Sequence, residues 1–343
     1  MIRFLTFTAI LMQIVLRISC SHLAPRDLPL PTKAIYQFPN PTWVENIGVR
    51  PNGLLLLNLV TSPDMYMLDP ETQAARLIYT FPDALSVLGI AEVSPDVFAV
   101  VVGNFSLVTV SSVKGSYSIW KVDFNSNTKE QSDNVEPTVA KVVDIPEAVF
   151  LNGMEPLTGS DNEVLVADSG LGAVWKVDVC SGKYEIVIQI PEMSPPATAK
   201  LQIGINGLHL FKGYLYWTNS EASSFYRAKV NQGGSLAPGA TAELLYSGTF
   251  MDDFILDDRG NAWIATNPAN LLLVVTADDK VVTVDGSPDQ LTVAGVTACR
   301  FGRRQTDRKI LYAVTDGGLA APVNGTVVEG GKVVAVDTSG YWT

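Results

Sequence analysis

Residues 33–40 read KAIYQFPN and closely match residues 76–83, which read RLIYTFPD. The second segment is the first of five related strand segments, which begin at residues 76, 141, 185, 243 and 280. Each follows a strand that ends in Asp or its equivalent. The last repeat has no such segment after it, and the missing copy stands at residue 33 instead. This displacement predicts that the first strand of the domain completes its last repeat unit.

The repeat behind this arrangement is about fifty residues long. Its Asp-ending strand recurs after 54 residues, from Asp69 to Asp123, and after 55 more at Asp178, and a strand of dense β-formers precedes each copy. Six copies of that pair, with the displaced segment, predict an all-β, six-bladed β-propeller with four strands per blade, closed by the N-terminal strand. Two β-sandwiches are the alternative, but they explain neither six copies nor the displaced strand.

The remaining strand of each blade is expected to line the central axis. Two of these inner strands carry Asn-Gly, at Asn152 and Asn206, in equivalent positions of the repeat. Asn-Gly usually indicates a hairpin turn, but the hairpin near Asn206 falls later, at Phe211–Gly213. We therefore expect the glycine to thin a crowded inner strand and the asparagine to point toward the axis.

The chain has 343 residues, a hydrophobic fraction of 47 % and a formal net charge of −11. A large core is available, and an acidic surface disfavours nucleic acid as a partner. One basic cluster departs from this trend and is interpreted as a solvated loop or, second, as an anion site. Its members are Arg300, Arg303, Arg304, Arg308 and Lys309.

The first twenty residues have the anatomy of a secretory signal peptide, with Arg3, an apolar run from Phe4 to Leu16 and small residues beside Cys20. We expect a signal peptide at 1–20, an N-terminal linker at 21–32 and the propeller at 33–343. An uncleaved anchor is the alternative. A secreted or secretory-pathway monomer follows, with no membrane contact after cleavage. Asn104 and Asn324 begin glycosylation sequons that this compartment could use.

Four inner strands carry a side-chain oxygen at matching places: Glu45, Asn152, Asn206 and Asp252. Carboxylate and amide oxygens that converge from separate strands suit a hard cation such as Ca²⁺ or Mg²⁺. Alternatively, these groups hydrogen-bond to one another and to water within the tunnel.

The six-blade pattern, the early Glu45, the two Asn-Gly strands and Asp252 resemble the SMP-30/gluconolactonase-like propellers. The resemblance implies a divalent cation held by Glu45, Asn206 and Asp252, with Asn152 close to the substrate. The chain departs from the family pattern at two places. It has Glu45-Asn46-Ile47 where the family has Glu-Gly-Pro, and Asp252-Asp253 where the family has Asp-Gly. These departures argue against lactonase chemistry and leave the expected fold intact.

A closer resemblance covers nearly the whole mature chain, through segments such as SPDVFAVVVGNFS at 94–106, AVFLNGM at 148–154 and DSGLGAVWKVD at 168–178. They are similar to a group of fungal TolB/SMP-30-like propellers, some of which are hetero-Diels–Alderases of tropolonic sesquiterpene biosynthesis. The resemblance implies a stereoselective cycloaddition catalyst of fungal secondary metabolism. It would join a tropolone-derived ortho-quinone methide to a humulene-type alkene. Its partners would be small polyketide and terpene molecules, and no cofactor is required.

The sequence lacks a GxSxG elbow and an HExxH motif, so neither triad hydrolysis nor zinc hydrolysis is indicated. His209 is interpreted as a core or rim histidine, or second as a proton shuttle. A divalent-metal-dependent lactonase and a non-catalytic secreted binding propeller remain the alternative functions. The candidate pocket residues, each of which could instead pack between blades, are Trp43, Asn46, Asn152, Met154, Asn206, His209, Met251, Asp253 and Phe254.

Overall fold

A computed structural model describes residues 27–125 and 136–341 of the chain. These residues form six four-stranded antiparallel sheets, which confirms the six-bladed propeller with four strands per blade. In this part of the chain, regular helix is limited to two short 3₁₀ turns, Pro191–Met193 and Ser339–Tyr341. No helix among the described residues is long and apolar enough to cross a membrane. The predicted signal peptide at 1–20 lies outside the described residues.

The strands are numbered in chain order, and each blade runs outward from its inner strand. Blade 1 consists of β2 (Val44–Val49), β3 (Leu55–Leu59), β4 (Asp64–Asp69) and β5 (Ala74–Thr80). Blade 2 consists of β6 (Ser86–Ser94), β7 (Val97–Gly103), β10 (Ser118–Asp123) and β11 (Thr138–Asp144), and a small hairpin of β8 (Phe105–Ser106) and β9 (Ser111–Ser112) is inserted in it. Blade 3 consists of β12 (Leu151–Pro156), β13 (Glu163–Asp168), β14 (Ala173–Asp178) and β15 (Tyr184–Gln189).

The second half of the propeller repeats the pattern. Blade 4 consists of β16 (Ile205–Phe211), β17 (Tyr214–Asn219), β18 (Ser224–Lys229) and β19 (Glu243–Ser247). Blade 5 consists of β20 (Phe254–Leu256), β21 (Ala262–Thr266), β22 (Leu271–Val275) and β23 (Val281–Gly286). Blade 6 consists of β24 (Val296–Phe301), β25 (Ile310–Thr315), β26 (Lys332–Asp337) and β1 (Thr32–Gln37).

The first described strand belongs to the last blade. β1 runs antiparallel to β26, with Thr32 opposite Val336 and Gln37 opposite Lys332. The amide of Phe38 extends the pairing by donating to the carbonyl of Gly331 at 2.9 Å. The pairing of the displaced segment with residues 333–337 is therefore present. Just before it, in the predicted linker, Leu30 is buried and its amide donates to Val284 of blade 5 at 2.8 Å.

The core lies between neighbouring blades. The second strands, such as β3 and β7, are buried along their whole length, because both of their faces pack against an adjacent sheet. This explains their continuous apolar sequences, which lack the alternation of a half-exposed strand. Trp217 and Trp263 are fully buried in blades 4 and 5. Their packing fixes the blades that carry the axial residues.

The two predicted glycosylation residues lie on loops. Asn104 is half-buried at the base of the β8–β9 hairpin, and its Oδ1 accepts from the amide of Leu85 at 3.0 Å. Asn324 is exposed in the long β25–β26 connection and has a positive φ of 53°. An asparagine tolerates that left-handed conformation better than most residues.

Candidate functional site

The inner strands are β2, β6, β12, β16, β20 and β24; each contacts the next, and β24 contacts β2. Five of them break register where an extra residue forms a β-bulge, four at one place and β6 at two. The bulge contains Asn152-Gly153 in β12 and Asn206-Gly207 in β16. A bulge bends its strand and redirects a side chain, and bulges are frequent beside functional sites. The Asn-Gly pairs therefore form bulges at the axis and not hairpin turns.

A polar group, which we name the axial acid cluster, lies where the inner strands begin. It consists of Glu45, Asn206, Asp252, Asn267 and Asp316, all of them buried. Asn206 Nδ2 donates to Asp252 Oδ1 at 2.8 Å and to Ser220 Oγ at 3.0 Å. Glu45 Oε2 accepts from the indole of Trp43 at 2.6 Å. The structure thus brings Asn206 and Asp252 into contact and ties Glu45 to Trp43.

The carboxyl groups of this cluster hold their protons unusually well. Burial, followed by the charges of Glu45 and Asp253, raises the pKa of Asp252 well above its ordinary value. Burial also raises the pKa of Glu45 to about 7, against the hydrogen bond from Trp43. It raises the pKa of Asp316 to about 6, although three loop amides donate to that carboxylate. The electrostatic repulsion among these three acids would be relieved by a bound cation or by a proton.

The cluster offers the oxygen donors that a hard cation requires. The Asn267 side-chain oxygen is buried and has no hydrogen-bond partner, so one amide oxygen is available. Asn206, in contrast, turns its amide nitrogen toward Asp252. Within residues 27–125 and 136–341, no three His, Cys, Asp or Glu side chains form a group that could hold a metal ion. Carboxylate and amide oxygens are nevertheless the donor types that Ca²⁺ and Mg²⁺ prefer. Coordination would require the Asn206 amide to rotate, so that its oxygen replaces its nitrogen.

A second group, which we name the His209 network, crosses the axis beyond the bulges. His209 lies between Glu155, whose Oε2 is 2.8 Å from Nδ1, and Asp253, whose Oδ1 is 3.5 Å from Nε2. Asp253 Oδ2 accepts from Asn46 at 3.1 Å and from Arg300 at 3.2 Å. Four charged side chains and the amide of Asn46, from the inner segments of blades 1, 3, 4, 5 and 6, therefore form one largely buried polar chain.

The charges in this network determine one another. Burial, and then the charge of Arg300, would lower the pKa of His209, but Glu155 and Asp253 together outweigh them and the pKa rises to about 8. Burial would likewise raise the pKa of Asp253, yet Arg300 and His209 hold it well below its ordinary value. At neutral pH the network therefore contains two cations and two carboxylates in hydrogen-bonded or close contact.

We expect stability to fall as the pH rises through the pKa of His209. A raised pKa stabilises the fold fully below the unfolded value of 6.5, and this stabilisation is lost by about pH 8 and above. The shift corresponds to about 2 kcal/mol in the free energy of unfolding. Urea denaturation at intervals from pH 6 to 9 would measure it. In His209→Gln the loss above about pH 7 should shrink, while the raised pKa of Glu45 continues to contribute below it. An unchanged slope between pH 7 and 9 would contradict the assignment.

The cavity at the axis opens at the opposite end from the axial acid cluster. It has a volume of about 790 Å³ and is lined by the last residues of the inner strands and the loops that follow them. Apolar lining comes from Ile47, Ile90, Phe98, Met154 and Ile255, among others. Glu155, His209 and Arg300 of the His209 network also line it. The cavity therefore combines an apolar wall with charged groups that the network holds in place.

The predicted pocket residues are distributed between these regions. Met154 and His209 line the cavity, and Asn46 and Asp253 belong to the His209 network beneath it. Trp43 and Asn206 lie with the axial acid cluster, and Asn152 is buried in the bulge of β12. Met251 and Phe254 are fully buried in the core between blades 4 and 5, where Phe254 packs edge-on against His209. Met251 and Phe254 therefore pack between blades, which was the alternative given for them in the sequence analysis.

Several functional candidates were not predicted from the sequence. Glu155 directly follows the first Asn-Gly-Met motif, and Arg300 was placed in a loop cluster although it belongs to β24. Asn267 and Asp316 follow the second strands of blades 5 and 6. The second-strand motif ends in or beside Asn or Asp in most of its six copies. That regularity is the signal that could have placed Asn267 and Asp316 near the axis.

Comparison with known proteins gives two relatives along most of the chain. A Phoma sp protein named "Putative hetero-Diels-Alderase" is 30 % identical over 321 residues, which cover 86 % of this chain and 89 % of that protein. "Putative hetero-Diels-Alderase asR5" of Sarocladium schorii is 28 % identical over 365 residues, covering 96 % and 88 %. No family model matches the chain.

Among solved structures, regucalcin from Agrobacterium tumefaciens strain C58, described as a calcium-binding protein, superposes with a TM-score of 0.61. It is 13 % identical, and the match covers 90 % of this chain and 95 % of that one. Such an identity supports the shared fold alone. The Phoma relative is similar enough along most of both chains to show common descent. The chain belongs to the family of six-bladed propellers whose members carry the hetero-Diels-Alderase name.

Proposed function

We propose that this protein is a pericyclase that catalyses a hetero-Diels–Alder reaction in the cavity at the end of the inner strands. The observation that carries the proposal is one cavity in which an apolar wall lies beside the largely buried charged groups of Glu155, His209 and Arg300. The names of the two relatives support the same reaction class. The specific reactants we propose are a tropolone-derived ortho-quinone methide and a humulene-type alkene, in a secreted or secretory-pathway protein.

The reaction requires no nucleophile from the protein. The four-atom C=C–C=O unit of the quinone methide adds to the alkene, one C–C and one C–O bond form, and no atom is lost. The enzyme must hold both reactants in one near-attack arrangement, an effect that can contribute about 7–11 kcal/mol at most. The apolar wall would grip the alkene and exclude water. This division suits a cavity lined by both Met154 and Arg300.

Arg300 and His209 would act on the quinone-methide oxygen, where negative charge builds up as the bonds form. The Arg300 side chain is only 14 % exposed, and its other contacts are Asp253 and the carbonyls of Phe254 and Cys299. A cation fixed in this way loses little energy to reorganisation during the reaction. Glu155 and Asp253 are positioning residues, because they hold His209 and Arg300 and keep His209 protonated.

The direct test mixes purified protein with a quinone-methide precursor and a humulene-type alkene and follows rate and isomer ratio. Both should differ from those of the protein-free control, because the uncatalysed reaction also occurs. Rates and ratios equal to the control would overturn the assignment to this reactant pair. Chelator-sensitive release of acid from simple lactones would favour the lactonase alternative. Tight binding of a macromolecule without turnover would favour a binding propeller.

We expect Leu256→Trp to reduce the rate enhancement by about tenfold or more, because Leu256 is half-buried in the cavity lining and the larger ring would displace a reactant. The matched control is Leu244→Trp, on the outer strand β19, where Leu244 is 55 % exposed. Initial rates for both variants and a denaturation curve for each provide the measurement. Equal losses in both variants would mean that the cavity is not the reaction site.

We also propose that a divalent cation binds the axial acid cluster through Glu45, Asp252 and the amide oxygens of Asn206 and Asn267, with Asn152 close by. Binding should stabilise the fold by about 2.7 kcal/mol when Ca²⁺ is present at a hundredfold excess over its dissociation constant. Thermal melts in Ca²⁺ and in EDTA should therefore separate for the native chain and coincide for Asp252→Asn. Coincident melts for the native chain would leave the cluster as a purely hydrogen-bonded plug.

A further inference from the structure

The cavity concentrates positive charge in a protein whose net charge is −11. Five basic side chains line it, and this set is named the basic rim: Arg259, Arg300, Arg303, Arg308 and Lys309. They come from the ends of two neighbouring blades, in the β20–β21 loop and in β24 with the loop that follows it. A cleft with an excess of one sign of charge raises the local concentration of ligands of the other sign, so the attraction for anions depends on how the acids of the same lining are engaged. An acidic protein has no general reason to collect its cations around one opening.

The acidic side chains of the same cavity are mostly committed to other contacts. Glu155 accepts from the amide of Leu210 and from His209. Glu92 accepts from Arg303 and from the amide of Asp96. Asp257 is buried and accepts from the indole of Trp263 at 2.9 Å, in addition to three donors of its own loop. Asp258 alone is an exposed acid for which the described residues show no ion pair.

Two cations of the basic rim, by contrast, form no ion pair with any carboxylate of the described residues. Arg308 and Lys309 are exposed on the β24–β25 loop, and neither side chain forms an ion pair within 4.0 Å among the described residues. The field of Lys309 reaches Asp337, whose pKa is lowered mainly by the hydrogen bonds of Ser339. The loop is tied to the end of β2 in blade 1, because Arg303 Nη1 donates to the carbonyl of Val49 at 3.0 Å. Its cations are therefore presented at the mouth by a braced segment.

We propose that the basic rim binds an organic oxyanion, a carboxylate or an acidic enolate, whose apolar ring system lies against Ile47, Met154 and Ile255. A cavity of about 790 Å³ admits a drug-sized molecule. The apolar wall contributes ring burial, and Arg308 and Lys309 contribute charge recognition and register. This proposal rests on the proposed function and deepens it, since it assigns a class to one reactant: the oxygenated partner enters as an anion.

The test measures binding without turnover, by calorimetry on the full chain, with 1-naphthoate and its uncharged counterpart 1-naphthamide. We expect naphthoate to bind at least tenfold more tightly than naphthamide, and its affinity to fall several-fold between low and high salt. Tropolonate as a third probe distinguishes the enolate source from the carboxylate source. Equal affinity for the acid and the amide would overturn the proposal.

The variants are Arg308→Gln and the double change Arg308→Gln with Lys309→Gln, which should weaken naphthoate about threefold and tenfold and leave naphthamide unchanged. The matched control is Lys114→Gln, which removes one exposed cation at the opposite end of the propeller. If Lys114→Gln and Arg308→Gln weakened naphthoate binding equally, the effect would come from the overall charge of the protein, and the proposed site would be wrong. Cycloaddition that persists without anion selectivity would overturn this inference and leave the proposed function standing. Anion selectivity without cycloaddition would support this inference and overturn the proposed function.

Discussion

Asp253→Asn should lower the free energy of unfolding by about 3–5 kcal/mol, the usual cost of breaking a buried ion pair. The carboxylate is only 4 % exposed and joins side chains from three other blades, Asn46, His209 and Arg300. An amide in its place keeps the shape and removes the charge. Arg300 would then lose the carboxylate with which it pairs, and protonated His209 would keep Glu155 alone. Urea denaturation followed by tryptophan fluorescence would measure the change.

The matched control is Asp258→Asn, an exposed acid five residues further along, which should change stability by less than about 0.5 kcal/mol. His209→Gln combined with Asp253→Asn should cost less than the sum of the two single changes, because each removes the same contact. A loss below about 1 kcal/mol for Asp253→Asn would show that the buried charges are satisfied in another way. It would also remove the reason for regarding Asp253 as a positioning residue.

The architecture was predictable because it repeats. Each blade must bury two faces, so its second strand is mostly apolar and buried. The segment at residue 33 indicates which blade takes its outer strand from the N-terminal part of the chain. The pairing of Thr32 with Val336 follows from that match. The same repetition indicated that Asn152 and Asn206 share one position, and both occupy a bulge of an inner strand.

The location of the cavity was not predictable by the same route. Every inner strand has two ends, and sequence places polar groups on both. Asp252 belongs to the axial acid cluster, and the adjacent Asp253 belongs to the His209 network. The Asp-Asp sequence does not show which of the two side chains lies in which group. The bulges add to the difficulty, since one extra residue inverts the alternation of side chains along a strand. The sequence of the arginine cluster also does not show that its loop lies beside the cavity, because the hydrogen bond from Arg303 to Val49 joins residues that are far apart in the chain.

Gly153→Ala should destabilise the fold by about 3 kcal/mol or more, at the upper end of what overpacking usually costs. A Cβ on Gly153 would lie 2.4 Å from the carbonyl oxygen of Asn206 and 3.1 Å from the Cα of Gly207, on the neighbouring inner strand. Both contacts are with backbone, which cannot rotate away as a side chain does. The glycine is required for this approach and not for a left-handed φ.

Equally close contacts occur between other neighbouring inner strands, so a shift of one strand to make room for the Cβ would produce a clash with the next strand. A Cβ on Gly89 would meet the Asn152 carbonyl at 2.2 Å, and one on Gly207 would come within 2.8 Å of the Asp253 Cα. Gly340→Ala is the matched control, because nothing lies within 4 Å of its added Cβ, and it should change stability by less than about 0.5 kcal/mol. Denaturation curves for both variants decide the matter. If Gly153→Ala proved as stable as Gly340→Ala, the inner strands could separate, and the Asn-Gly bulges would not be fixing the distance between blades at which Asn206 meets Asp252.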